Sequence, residues 1–242
     1  MPGKTMKGFS RESSEDVELW VGSPDCQAAH ASILARLKEL TKAFVKTKSD
    51  VTTSHKGNIG EFIAFCLGES DDFSSHTPFP ANALNPLSSI SKSEIDIVWV
   101  FFAQKEKDDC AVLQEVKTTS DAEITIAYGL VADYEKLFGT DLALTLHTRL
   151  QAIKNELEYK LKKPKLCPRL SKLAGNSPKT SARVRLLPTV VCERKDSKPE
   201  IRMHAIRTIL IGKGWPPESV ESWAIGLFDL DSRLSRLAMG KP

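Results

Sequence analysis

The sequence predicts one mixed α/β (α+β) domain, and three observations carry that expectation. Two strand-like runs joined by a charged turn occupy residues 93–120, two more strand-like runs lie near 182–193 and 220–230, and runs of helical period separate them. A chain of 242 residues, 41% hydrophobic and 27% charged, is long enough for a substantial core and has the balance of an ordinary globular protein.

Residues 1–16 are polar and read as a disordered tail, leaving 17–242 as the domain. Val17 to Val21 (VELWV) reads as a short strand. Ile33, Leu34, Leu37, Leu40 and Phe44 recur at helical spacing, which predicts a helix from about Asp25 to Lys46, opened by Ser23-Pro24-Asp25. In Ser54 to Ser70 (SHKGNIGEFIAFCLGES), Ile59, Phe62, Ile63, Cys66 and Leu67 form a second helical face. Gly57 and Gly60 stand at its start, where they let backbone approach a sheet. Asp71 to Ser91 is rich in Ser, Pro and Asn and reads as a long irregular connection.

Ser93 to Ser120, SEIDIVWVFFAQKEKDDCAVLQEVKTTS, follows as two strands with QKEKDD at the turn, and the next segment, AEITIAYGLVADYEKLFG, gives no clear assignment. Leu142, Leu146, Leu150, Ile153, Leu157 and Leu161 predict a helix over 141–161. Lys165 to Ser181, with its prolines and cations, reads as a loop. Ala182 to Glu193 reads as a strand that Pro188 assigns to an edge or a bulge. A helix over 201–211, a strand over 220–230 and a closing helix over 231–239 complete the order. The four tryptophans, Trp20, Trp99, Trp215 and Trp223, are expected in the core.

The N-terminus lacks an apolar stretch of signal-peptide type, and the longest apolar run, Ile97 to Ala103, is far too short for a membrane span. Cys26, Cys66, Cys110, Cys167 and Cys192 are odd in number and never form CxxC, as expected of reduced thiols in a cytoplasmic protein. The net charge is +3, but Lys154 to Arg185 holds ten Lys/Arg against Glu156 and Glu158, so this stretch carries +8 and the remainder −5. Such a stretch is either a polyanion footprint or a solvated helix face followed by a loop.

Chemistry concentrates in the paired strands. Asp96 lies at the start of the first, and Glu115 and Lys117, two apart, share a face of the second. Acid-x-Lys alone carries little weight, because it recurs at Glu158, Glu193 and Asp196. Only Glu115 follows a strand bearing an acid and a helix bearing Glu61. Glu61 has a competing role, since Asn58 as N-cap with Glu61 three residues on would be a variant capping box. His55 is a capping residue or a contact to water or substrate, and Thr118 and Thr119 either donate to a phosphate or simply suit a strand end. Gln114 points to the face opposite Glu115.

A helix with an acid, a strand with Asp, and a neighbouring strand ending in (D/E)xK resembles the PD-(D/E)XK nuclease superfamily over residues 54–160. The proline that nominally precedes the Asp is replaced here by Glu94-Ile95. KGNIGEF…SEIDIVWV…LQEVKTT is similar, more narrowly, to the nuclease subunit of Hachiman-type anti-phage systems, which works with a helicase partner. The resemblance implies a restriction-endonuclease-like central mixed sheet flanked by helices, and a Mg²⁺- or Mn²⁺-dependent nuclease with DNA as the expected substrate. It implies that Asp96, Glu115 and the Val116 carbonyl hold the ion, hard oxygen donors suited to such cations. Lys117 would orient or deprotonate the attacking water, and Glu61 would hold a water or a second ion. With that site, Lys160, Lys162, Lys163, Lys165 and Arg169 become the expected phosphate-backbone contacts. The competing expectations are a non-catalytic nucleic-acid-binding or interaction subunit that keeps the fold, a repair or recombination nuclease, and a nuclease inactive until a partner releases it.

Overall fold

A computed structural model describes residues 6–23, 27–81, 85–87, 95–120, 125–138, 142–174, 183–194 and 198–242. Its centre follows from three strands that are apolar on both faces: β5 (Cys110–Thr119), β6 (Val184–Glu193) and β7 (Ser222–Leu227). Such runs need cover on both sides, the condition of a parallel sheet between helix layers. The sheet has seven strands in the order β1-β2-β7-β6-β5-β4-β3. The strands β2 (Val17–Gly22), β7, β6 and β5 run parallel, while β4 (Ile97–Phe101), β3 (Thr77–Pro80) and β1 (Phe9–Ser14) pair antiparallel to their neighbours.

One face carries α1 (Gln27–Leu40), α2 (Thr53–Ser70) and α7 (Leu230–Ala238), whose buried residues pack with Trp20, Trp99, Val112, Val116 and Trp223. The other carries α3 (Gly129–Phe138), α4 (Leu142–Asn155), α5 (Cys167–Ala174) and α6 (Pro199–Gly212), which pack on Val98, Leu113, Leu186 and Val190. Trp99 stacks between Phe65 and Phe73, and all four tryptophans are buried, as expected.

Four expectations need correction. Residues 9–14 are not a tail: they form the edge strand β1, joined to β2 by a two-residue turn whose Glu15 and Asp16 have positive φ. Its polar sequence reflects a strand exposed along most of its length. The connection 71–91 contains β3, whose Pro78 and Pro80 suit the opposite edge of the sheet. Within 165–181, residues Cys167 to Ala174 form α5, which starts with Pro168 in its first turn and buries Leu170 and Leu173. Strand β6 is central rather than an edge. Beside Pro188 its ladder to β7 reduces to an isolated Leu186–Val220 bridge, and it resumes at Thr189–Trp223, where N–H donors return. The Ser23-Pro24-Asp25 start lies outside the described residues. The unassigned segment after Thr119 supplies a short 3₁₀ turn at Thr125–Tyr128 and then α3.

Helix α2 begins at Thr53, capped by Thr52: the Thr52 hydroxyl accepts from the His55 N–H, and the Thr52 N–H donates to His55 Nδ1. This box fixes His55 as the capping residue and places Asn58 and Glu61 inside the helix rather than at its start. The two glycines then separate in role. A Cβ on Gly60 would lie 1.9 Å from the Thr118 hydroxyl on β5, whereas one on Gly57 would meet nothing within 4 Å. Gly60→Ala is therefore expected to lower the melting temperature, because α2 must move off β5. Gly57→Ala should raise stability by about 0.5–1 kcal/mol through helix propensity. Thermal denaturation of the two variants beside the parent checks this contrast.

Candidate functional site

At the point where β4 begins, two acids face each other across the strands. Ile97 pairs with Gln114, so Asp96 stands opposite Glu115 at the next step of the antiparallel register. Here side chains replace the backbone ladder: the Asp96 N–H donates to Glu115 Oε2 (3.2 Å), and the Val116 N–H donates to Asp96 Oδ2 (2.8 Å). Asp96 is 8% exposed and Glu115 is 7% exposed. Burial raises both carboxyls above their ordinary range. The neighbouring Asp96 lifts Glu115 further, while the Val116 N–H and Lys117 pull Asp96 back. Two such carboxyls cannot both ionise without help, so the pair shares a proton.

Lys117 shares the face of Glu115, and its ammonium pairs with Asp133 of α3. Burial opposes its charge, but Asp133, Glu115 and Asp96 outweigh that and hold the amine above the ordinary lysine range. Its aliphatic stem passes Gly129 at the start of α3, where a Cβ would come 3.7 Å from Lys117 Cε. One residue past Asp133, the Tyr134 hydroxyl donates to the Leu113 carbonyl (2.9 Å) and accepts the Glu115 N–H (3.1 Å). Helix α3 thus clamps the Leu113–Lys117 stretch of β5 and supplies the counter-ion of its lysine. Asp133 and Tyr134 fall in the segment that gave no clear assignment.

Glu61 is buried on α2, next to the Gly60 contact with Thr118 on β5. Among the described residues, no three His, Cys, Asp or Glu side chains gather as a metal-binding group. Gln114 does point away, bonding Trp99 Nε1 (2.8 Å) and the Thr189 hydroxyl (3.0 Å). The competing Glu193 is structural: its two oxygens accept the Asp229 and Leu230 N–H groups at the start of α7.

The basic segment lies elsewhere. Lys160, Lys162, Lys163 and Lys165 are exposed, with Lys160 paired to Glu156. Arg169 is committed to Asp109, a fully buried carboxylate, through Nε at 2.8 Å, and to the Ala103 carbonyl at 2.6 Å. Asp109 precedes β5, and Glu115 stands six positions further along the strand, about 20 Å at the rise of an extended chain. Arg169 therefore lies at the opposite end of the hairpin from the acid pair.

The direction of the Glu115 shift sets a pH dependence. Its folded pKa exceeds the unfolded value, so the native state binds more protons and stability falls as pH rises from the ordinary carboxylate range through the folded pKa. Without divalent cations, Glu115→Gln should melt higher than the parent, and by more at pH 8 than at pH 5. Tyr134→Phe removes a buried hydroxyl with two partners and should cost about 1–3 kcal/mol in denaturant unfolding.

Among the described residues, no helix is long and apolar enough to cross a membrane. The chain matches no family model and no curated protein.

Proposed function

We propose that the chain is a Mg²⁺- or Mn²⁺-dependent nuclease that hydrolyses phosphodiester bonds of DNA. Its setting would be prokaryotic anti-phage defence beside a helicase partner, and its fold of restriction-endonuclease type. The observation that supports this best is the buried Asp96–Glu115 pair with Lys117 on the same face. The donor set fits a hard divalent cation: two carboxyls pressed together in low dielectric are relieved by a cation as well as by a proton, and the Val116 carbonyl adds a neutral oxygen. Asp96, Glu115 and Val116 are the residues assigned to hold it, and Glu61 on α2 is the further acid assigned to the site. A divalent cation there supplies Lewis-acid polarisation of the phosphodiester.

The chain's own groups do the rest. With a cation held there, both carboxyls would be ionised and the proton they share would pass to solvent. Lys117, kept charged by Asp133, donates to a non-bridging phosphate oxygen and offsets the negative charge that grows in the transition state. A permanently cationic lysine favours this electrostatic role over that of a general base. Tyr134 fixes the β5 backbone so that Glu115 and Lys117 keep their spacing.

A second reading, a nucleic-acid-binding subunit that keeps the fold without cutting, draws on the exposed cations Lys160, Lys162, Lys163 and Lys165. Cleavage of plasmid and of single-stranded DNA with Mn²⁺, alone and with the helicase partner, separates the two. Asp96→Ala, Glu115→Ala and Lys117→Ala are each expected to lower cleavage by about a hundredfold or more while melting as folded proteins. Equal cutting by all three variants would discard the site, and metal-independent binding without cleavage would favour the second reading.

A further inference from the structure

Helices α1 and α7 leave between them a groove of about 780 Å³, lined by His30, Leu34 and Lys38 on one side and by Asp229, Arg233 and Arg236 on the other. That volume is typical of a small-ligand site. Three cations line the groove with the Asp229 carboxylate, and Arg236 donates to the oxygen of Pro242, which also lines it. Leu34, with Ala31 and Ala35, gives the α1 wall an apolar strip beside them.

His30 reports on the charge of this groove. It is 4% exposed, and its Nε2 lies 2.8 Å from the Lys241 carbonyl. A carbonyl only accepts, so Nε2 carries the proton and Nδ1 presents a buried lone pair that has no hydrogen-bond partner among the described residues. Burial, and then the charges of Arg236 and Arg233, hold the ring below the ordinary histidine range. The Asp229 carboxylate lines the same groove, Pro242 brings the oxygen that accepts from Arg236, Lys241 contributes its carbonyl, and Gly8 packs on the backbone of Ala28 and Ala29.

We infer that the α1–α7 groove binds a phosphoryl group, carried by a nucleotide or by a nucleic-acid backbone. Arg236, Arg233 and Lys38 are the donors to its oxygens, the phosphoryl group taking the place of the Pro242 oxygen on Arg236. Leu34 and its alanines accept the apolar part of the ligand. The anion offsets the Arg236 and Arg233 charges that add to burial in holding His30 neutral, so binding raises the titration midpoint of the ring. The site is separate from the Asp96–Glu115 pair and does not rest on the nuclease reading.

Titration of the full chain with inorganic pyrophosphate at constant ionic strength tests this, followed through the His30 ring resonances by NMR. The expected result is a saturable shift and a rise in the His30 titration midpoint. Binding should weaken by about tenfold or more in a Lys38→Gln/Arg236→Gln variant. Both side chains are exposed, and Lys38→Gln alone provides a milder version should the double variant misfold. Adenosine monophosphate and a short oligonucleotide then distinguish the sources, since tighter binding of either one identifies the carrier. Non-saturating shifts, an unchanged His30 midpoint, or equal affinity in the variants would overturn the assignment.

Discussion

Two carboxyl groups that face each other across neighbouring strands, away from solvent, set the terms for the surrounding structure. Neither Asp96 nor Glu115 has room to turn to water, and each already accepts a backbone N–H from the other's strand. Like charge at that separation in a poorly screened interior demands a compensating proton or cation. The arrangement is held from both faces of β5. On one, α3 brings a hydroxyl to the strand and a carboxylate to Lys117; on the other, α2 comes in so closely at Gly60 that no side chain fits. The central position of β5 in the sheet makes this rigidity possible, because every edge of the strand is paired or packed along most of its length.

Most of the layer order was legible in the sequence because it rests on periodicity and on short-range chemistry. The paired strands, the helices at 27–40, 53–70, 142–155, 199–212 and 230–238, and the strands at 184–193 and 222–227 follow from apolar spacing. What stayed hidden depends on partners distant in the chain. Edge strand β1 has no apolar face of its own and exists because β2 offers a ladder. Pro188 looked incompatible with a central strand, since the sequence does not reveal that β7 tolerates a missing bond at that step. The capping of α2 was misplaced by nearly two turns, from Thr52 to Asn58, because a histidine, rather than a glutamate, closes the box at Thr52.

The site was legible in part, for the same reason. The face shared by Glu115 and Lys117 and the approach of Asp96 follow from strand alternation and the antiparallel register. The counter-ion Asp133 does not, because pairing it with Lys117 needs the packing of α3 on β5. Charge density does not tell which cations are paired within the fold. A +8 segment suggests one surface, yet Arg169 neutralises the buried Asp109 and Lys172 pairs with Glu106, so part of that charge is spent inside the fold. A buried carboxylate such as Asp109 requires such partners wherever the chain can supply them.

The place of β7 between β2 and β6 has a consequence for the order in which the molecule is built. The sheet joins its N-terminal hairpin to its central strands only through residues 222–227, the last strand in chain order. Closing that gap brings together segments about two hundred residues apart, contacts of the kind that slow folding and come late in it. During synthesis the Asp96–Glu115 pair can meet early, since only a hairpin separates its halves, but the layers that rigidify it wait for nearly the whole chain. A nascent chain therefore carries the acid pair long before it carries the framework that aligns it.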